Sequence, residues 1–164
     1  MKSHTLTNLG LLALVIVLAL MAIYEPGLET AQKAPPLTRL KPEEVHFIRL
    51  SDNRGRDLVL EKRQGAWRMT RPYEKAADEV RIGQLLGITT TRSFSRFAAP
   101  RDRLAEFGLA PPSIRLQLND LELEIGGNEP LRFRRYVRIG DQIHLIGNGF
   151  HHHLMASAED YVRQ

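Results

Sequence analysis

Residues 5–24 contain no charged side chain, and within them 9–23 (LGLLALVIVLALMAI) run apolar almost without interruption. A helix made from this segment has no polar face to turn toward water. Twenty helical residues reach roughly 30 Å, the thickness of a bilayer's hydrocarbon core. The pattern predicts a transmembrane anchor over residues 1–24. A cleaved leader needs small residues two apart at its cleavage site, whereas Leu20 precedes Ala22 and Glu29 precedes Ala31. Lys2 and the α-amine lie before the run, Glu25 and Glu29 follow it, and Lys33 is the first base downstream. Positive charge is retained on the cytoplasmic side, so the N-terminus is expected in the cytoplasm and the rest of the chain across the membrane. Pro26-Gly27 stops the helix and AQKAPP (31–36) reads as a stiff connection, giving a linker over 25–36. One domain of ordinary size is then expected over 37–164.

There is no cysteine, which excludes a disulfide framework, a thiolate zinc site, a thiol nucleophile and attachment of a lipid through cysteine. The net charge is only +4, with both signs interspersed, too little to argue for nucleic acid.

Beyond the linker the hydrophobic period switches to two. Residues 46–50 alternate with His46, Ile48 and Leu50 on one side, Leu58 and Leu60 share a second strand, and Trp67 and Met69 a third. Asp52-Asn53-Arg54-Gly55 and Gln64-Gly65 mark the turns. A helix follows, with Asp78 as its cap, Glu79 in its first turn, and Val80, Ile82, Leu85, Leu86 and Thr89 near one stripe. Gly83 and Gly87 in it read as surface glycines. Residues 93–97 suit an edge strand. Ile114, Leu116 and Leu118 then alternate, as do Leu121, Leu123 and Ile125, around a two-residue turn at Asn119-Asp120. That register puts Arg115 opposite Glu124 and Gln117 opposite Glu122. A further pair of strands is expected over 133–139 and 142–146, and a short helical stretch around 158–162. The order implies an α+β domain of mostly antiparallel sheet with one main helix.

LKPEEVHFIRL, GAWRMTRPYEKAADEVRIGQLLG, EFGLAPPSIRLQL and RRYVRIGDQIHLI occur in this order behind the N-terminal run. Together they resemble the domain-of-unknown-function family 4340 (DUF4340), from about Leu37 to the C-terminus. The resemblance implies a bacterial, membrane-anchored protein. Some longer members occur beside transporter components, but this chain carries one unit only. It brings no catalytic residues.

No serine lies in a nucleophile elbow, and Gly126-Gly127 lacks the Lys-Ser/Thr of a phosphate loop. No catalytic or cofactor-binding residue is therefore assigned. His151-His152-His153 is conspicuous: in extended backbone His151 and His153 point the same way, and with His144 they are the candidate ligands of a metal site. The bland alternative, a solvated loop, is preferred, and no metal is expected. Arg92, Arg96, Arg101 and Arg103 surround Phe94 and Phe97. On the strand over 131–139, Phe133, Val137 and Ile139 are expected in the core, with Arg132, Arg134, Tyr136 and Arg138 on the opposite face as candidates for an anionic surface. Arg135 falls on the apolar face, so an edge strand or a bend is expected there. The resulting expectation is a non-enzymatic binding or assembly module of the bacterial envelope, single-pass in the inner membrane, with a periplasmic domain, a protein partner, and a role accessory to a transport complex. The alternatives are an envelope enzyme, or a binder of anionic lipid or nucleic acid, the last not expected outside the cytoplasm.

Overall fold

The computed structural model describes residues 2–24, 34–131 and 133–163, with side chains from 8 to 21 in the first stretch. Two compact units divide the chain between Ala34 and Pro35. The first contains one helix, α1 (Lys2–Tyr24). Its large apolar side chains between Leu9 and Met21 are 49% to 68% exposed, around the whole circumference. Among the described residues no helix is long and apolar enough to cross a membrane. The expected anchor also draws on side chains at 1–7 and 22–24, which lie outside the described residues, as does the linker over 25–33.

The second unit contains, among the described residues, nine strands: β1 (Phe47–Asp52), β2 (Asp57–Arg63), β3 (Ala66–Arg71), β4 (Lys75–Ala76), β5 (Ser95–Ala98), β6 (Ile114–Leu118), β7 (Leu121–Asn128), β8 (Arg134–Ile139) and β9 (Gln142–Gly147). They form one sheet in the order β4-β3-β2-β1-β6-β7-β8-β9-β5, with every neighbouring pair antiparallel. Among the described residues two α-helices accompany it, α2 (Glu79–Leu86) and α3 (His151–Met155). The domain is α+β, and α2 is its main helix.

Alternation explains the sheet. Leu118 faces Leu121, Leu116 faces Leu123 and Ile114 faces Ile125, while Arg115 meets Glu124 and Gln117 meets Glu122 on the other side. This is the register that the sequence predicts. Ile48, Leu50, Leu58, Leu60, Met69, Leu116, Leu123 and Val137 are essentially inaccessible and join one core with Ile82, Leu85 and Leu86 of α2. Burying each of those three helix side chains stabilises the fold by roughly 1.5–3 kcal/mol. Asp78 caps α2 by accepting from the backbone N–H groups of Val80 and Arg81. Val80 itself is 70% exposed, unlike the expected stripe. At about 100° per residue it lies some 200° from Ile82, on the solvent side. Gly83 faces open space, and Gly87 lies against the Phe150 ring. Trp67 and Met69 are both in the core.

Asn119 holds the two halves of the sheet in register. It adopts φ 52° in the β6–β7 turn, a conformation asparagine tolerates better than most residues. Its Oδ1 accepts from the backbone N–H groups of His46 and Phe47, and its Nδ2 donates to the Glu44 carbonyl. The hairpin turn thereby fixes where β1 begins, before β1 pairs with β6 (Ile48 with Leu118, Leu50 with Leu116). His46 ends outside the strand and exposed, so it does not share the face of Ile48.

Three features differ from expectation around β8. It lies between β7 and β9 rather than at an edge. The irregularity falls on its neighbour, where the β7 register shifts between Ile125 and Asn128. Arg135 is buried and fills that gap, donating from Nη1 to the Gly126 carbonyl (2.8 Å) and from Nε to Asn148 Oδ1 (2.8 Å). Phe133 is 80% exposed rather than in the core, because its φ of 52° breaks the alternation before the strand starts at Arg134. Gly126-Gly127 has a packing role. A Cβ on Gly126 would lie 2.3 Å from the Phe107 carbonyl oxygen, so the adjoining 3-10 turn (Leu104–Phe107) packs directly on the β7 backbone.

Asn119 can be tested directly. Asn119→Ala should destabilise the domain by about 1–3 kcal/mol, through three lost hydrogen bonds and a strained φ. Asn119→Gly should recover only the conformational part. Equal urea midpoints for wild type and Asn119→Ala would show that the side-chain bridge contributes nothing.

Candidate functional site

Pro35 and Pro36, placed in the linker by their composition, already engage the domain. Ser93 N–H donates to the Pro35 carbonyl, Leu37 N–H to Thr91 O (2.7 Å) and Thr38 N–H to Thr89 O (3.1 Å). The chain entering the domain is thus strapped along residues 89–93. Beside the strap, among the described residues, lies a groove of about 560 Å³. It is lined by residues 37–40, by residues 118–121 at the β6–β7 turn, and by Ile139 and His144. Leu37, Leu40, Leu118, Leu121 and Ile139 make the lining largely apolar. Two exposed charged residues of opposite sign, Arg39 and Asp120, also line it.

Most polar groups in this lining are already engaged. The Asn119 amide serves β1, and Thr38 Oγ1 donates to the Thr89 carbonyl (3.1 Å). His144 is 9% exposed, and its Nδ1 lies 2.9 Å from Ser93 Oγ, which in turn donates to the Ser95 carbonyl at 3.2 Å. Burial, and then the Arg96 guanidinium paired across from it on β5, push the His144 pKa below the ordinary imidazole range. Ser93 is itself only 5% exposed. The pair therefore suits a fixed imidazole better than a nucleophile open to substrate.

The other expected positions fare differently. His151 and His153 lie in α3, not in extended backbone. At about 100° per residue, side chains two apart point to nearly opposite sides, so the shared orientation proposed for His151 and His153 is not met. His144 is bonded to Ser93 instead. Among the described residues no group of three His, Asp or Glu is placed to hold a metal ion. His151 Nδ1 is buried without a hydrogen-bond partner, and burial followed by Arg135 and His152 lowers its pKa.

The arginine face of β8 is engaged internally. Arg138 pairs with Glu124, which also lies 3.7 Å from Arg115. Arg134 stacks 4.1 Å from the Phe94 ring centroid, and Tyr136 meets Phe107 edge-on at 5.0 Å. Arg132 lies outside the described residues. The second basic cluster is dispersed, with Arg103 on Glu106 and Arg101 near Asp141. Sequence reasoning missed the groove, since Leu37, Leu118 and His144 are far apart in the chain and none stands in a recognisable motif.

A family model described as "Domain of unknown function (DUF4340)" matches residues 67–164. The match covers the later segments of the resemblance and leaves residues 37–66 outside it. No match was found among curated proteins or among solved structures.

The histidines make stability depend on pH. Burial lowers the pKa of His144, His151 and His153 in the fold, so the unfolded chain takes up protons first as the pH falls. Their contribution is complete above about 6.5 and is lost as the pH drops below it toward the folded values. The lowered carboxylates, Asp52, Asp57, Glu106 and Asp160, act only in more acidic solution. The urea midpoint should therefore fall between pH 7.5 and pH 5, and His144→Asn should reduce the fall. A midpoint unchanged over that interval contradicts the assignment.

Proposed function

The chain belongs to the DUF4340 family, and we propose that its domain is a non-enzymatic binding module held at the bacterial envelope membrane by residues 1–24. The groove supports binding over catalysis: it is open, largely apolar, and its polar groups are mostly engaged within the fold. An open apolar surface with few polar groups suits recognition of an apolar body better than assembly of converging acid, base and nucleophile. The anchor reading is supported by the uncharged run and by apolar side chains exposed on every side of α1, which favour lipid over water. The charge difference across the run favours a periplasmic domain. A role accessory to a transport complex rests on the resemblance alone, and there only on longer members that occur beside transporter components.

The test uses the full chain in its native membrane, with a photo-crosslinking residue at Asp120 on the groove or at Gly55 in the distant β1–β2 turn. The chain should stay with the membrane after alkaline washing, and a reporter at Gln164 should be active outside the cytoplasm. Crosslinks should form from position 120 and not from 55. Release by the wash removes the anchor reading, and equal labelling from both positions removes the groove.

A second lipid contact is favoured by the β7–β8 loop, where Leu131 and Phe133 are 85% and 80% exposed on either side of Arg132 in sequence. Apolar side chains beside arginine suit the boundary between acyl chains and anionic head groups. In full-length protein in vesicles containing anionic lipid, a probe on Leu131→Cys should be quenched by brominated acyl chains. A probe on Gly55→Cys should not. Absence of quenching at 131 refutes this contact.

A further inference from the structure

The ligand class follows from one nitrogen, and the argument rests on the groove being a binding site. Ser93 Oγ has two partners, the Ser95 carbonyl and His144 Nδ1. A carbonyl only accepts, so the Ser93 hydroxyl proton goes to Ser95. The same oxygen is then left to accept, and Nδ1 of His144 must carry the proton that it accepts. In a neutral imidazole the other nitrogen, Nε2, is then a bare acceptor. Burial and Arg96 both favour the neutral form.

Among the described residues nothing donates to Nε2, and it is not one of the sealed, unpartnered polar atoms, a group limited to Arg56 Nε and His151 Nδ1. His144 is nonetheless more than nine-tenths buried and lines the groove. Its remaining exposure therefore includes Nε2. An acceptor open to the groove can be served by water in the free protein. A ligand that fills the groove displaces that water, so one that brings a hydroxyl or N–H keeps Nε2 paired, and one without a donor leaves it buried and unpaired.

The surroundings narrow the class further. Leu40, Leu121 and Ile139, the part-exposed apolar residues of the lining, offer only dispersion and apolar burial, with Leu37 and Leu118 buried beside them. Arg39 and Asp120 bring one charge of each sign, so neither a cationic nor an anionic head group gains from both. A carboxylate would also meet the Nε2 lone pair. We propose that the groove binds a neutral aliphatic molecule carrying a hydroxyl, whose chain lies on the leucines and whose O–H donates to His144 Nε2.

The experiment uses the full chain in lipid nanodiscs, ¹⁵N-labelled at histidine, with empty nanodiscs correcting for partitioning. The probes are 1-butanol, 1-pentanol and 1-hexanol, with methyl pentyl ether as a match for hexanol that cannot donate. Before any probe is added, long-range ¹H–¹⁵N correlations should show His144 protonated at Nδ1. Hexanol should shift the Nε2 resonance and bind about fivefold or more tightly than the ether. Affinity should rise about fourfold per added methylene. His144→Phe should erase the alcohol–ether difference while retaining apolar binding, and Leu121→Trp should block both probes.

A proton on Nε2 in the free protein, or equal affinity for alcohol and ether, overturns the donor requirement while leaving the groove as an apolar site. Binding unaffected by Leu121→Trp places the probes elsewhere and overturns the proposal. If neither hexanol nor the ether binds, the groove reading fails with it.

Discussion

Backbone pairing between β1 and β6 joins two locally folded meanders, β1–β3 and β6–β9, into one sheet, and every feature of the domain depends on that seam. Strands close in sequence pair readily through tight turns, whereas this pair must first close a loop of more than about sixty residues, at an entropic cost that grows with length. Asn119 helps offset it. Its side chain occupies the backbone groups of residues 44, 46 and 47, so the turn that ends β6 also sets the register of β1. A slip by one residue would turn Ile48 and Leu50 toward solvent and replace them in the core with Phe47 and Arg49. The groove also ends on this turn, so binding geometry and sheet register share one residue.

The two faces of the sheet resolve their polar groups differently. On the outer face opposite charges alternate across neighbouring strands: Asp57 between Arg49 and Arg71, and Glu124 between Arg115 and Arg138. Exposed pairs of this kind contribute little individually, but they leave much of the arginine-rich strand without the free charge its composition advertises. On the core face, among the described residues, two cationic or basic groups are buried with no carboxylate among their hydrogen-bond partners. Arg135 is satisfied by a carbonyl and an amide, at the expense of a lowered pKa, and His144 by a hydroxyl.

The parts of the fold visible in the sequence are those in which one local rule governs. Alternation around Asn119-Asp120 gives the hairpin register pair by pair, and Asp78 ahead of a 3.6-residue stripe gives α2 with its cap. Errors arise where a single residue departs from the period. Phe133 takes a positive φ and leaves the core, and the shifted register of β7 accommodates Arg135, which alternation alone reads as an edge. The histidine triplet looks extended or loop-like until the chain around it is placed. Arg56 donates to the Leu154 and Ala156 carbonyls at the end of α3, and the Tyr161 hydroxyl, its pKa pushed up to about 12 by burial, donates to His153. Those partners are up to a hundred residues away in the chain, beyond the reach of any local pattern. The groove is hidden for the same reason, since its walls come from the domain's first residues and from a turn some eighty residues later.

The strap along residues 89–93 has a mechanical meaning as well as a structural one. Pro35 is the first residue of the domain that a load arriving along the chain from the N-terminal side would reach, and its carbonyl is bonded to Ser93, the neighbour that orients His144. The next links in the series, Leu37 and Thr38, form part of the groove wall. Tension on the N-terminal side is therefore borne first by the wall of the groove and by the serine behind its imidazole, ahead of the central strands. Whatever the chain is attached to, the groove is the part of the domain most directly exposed to its pull.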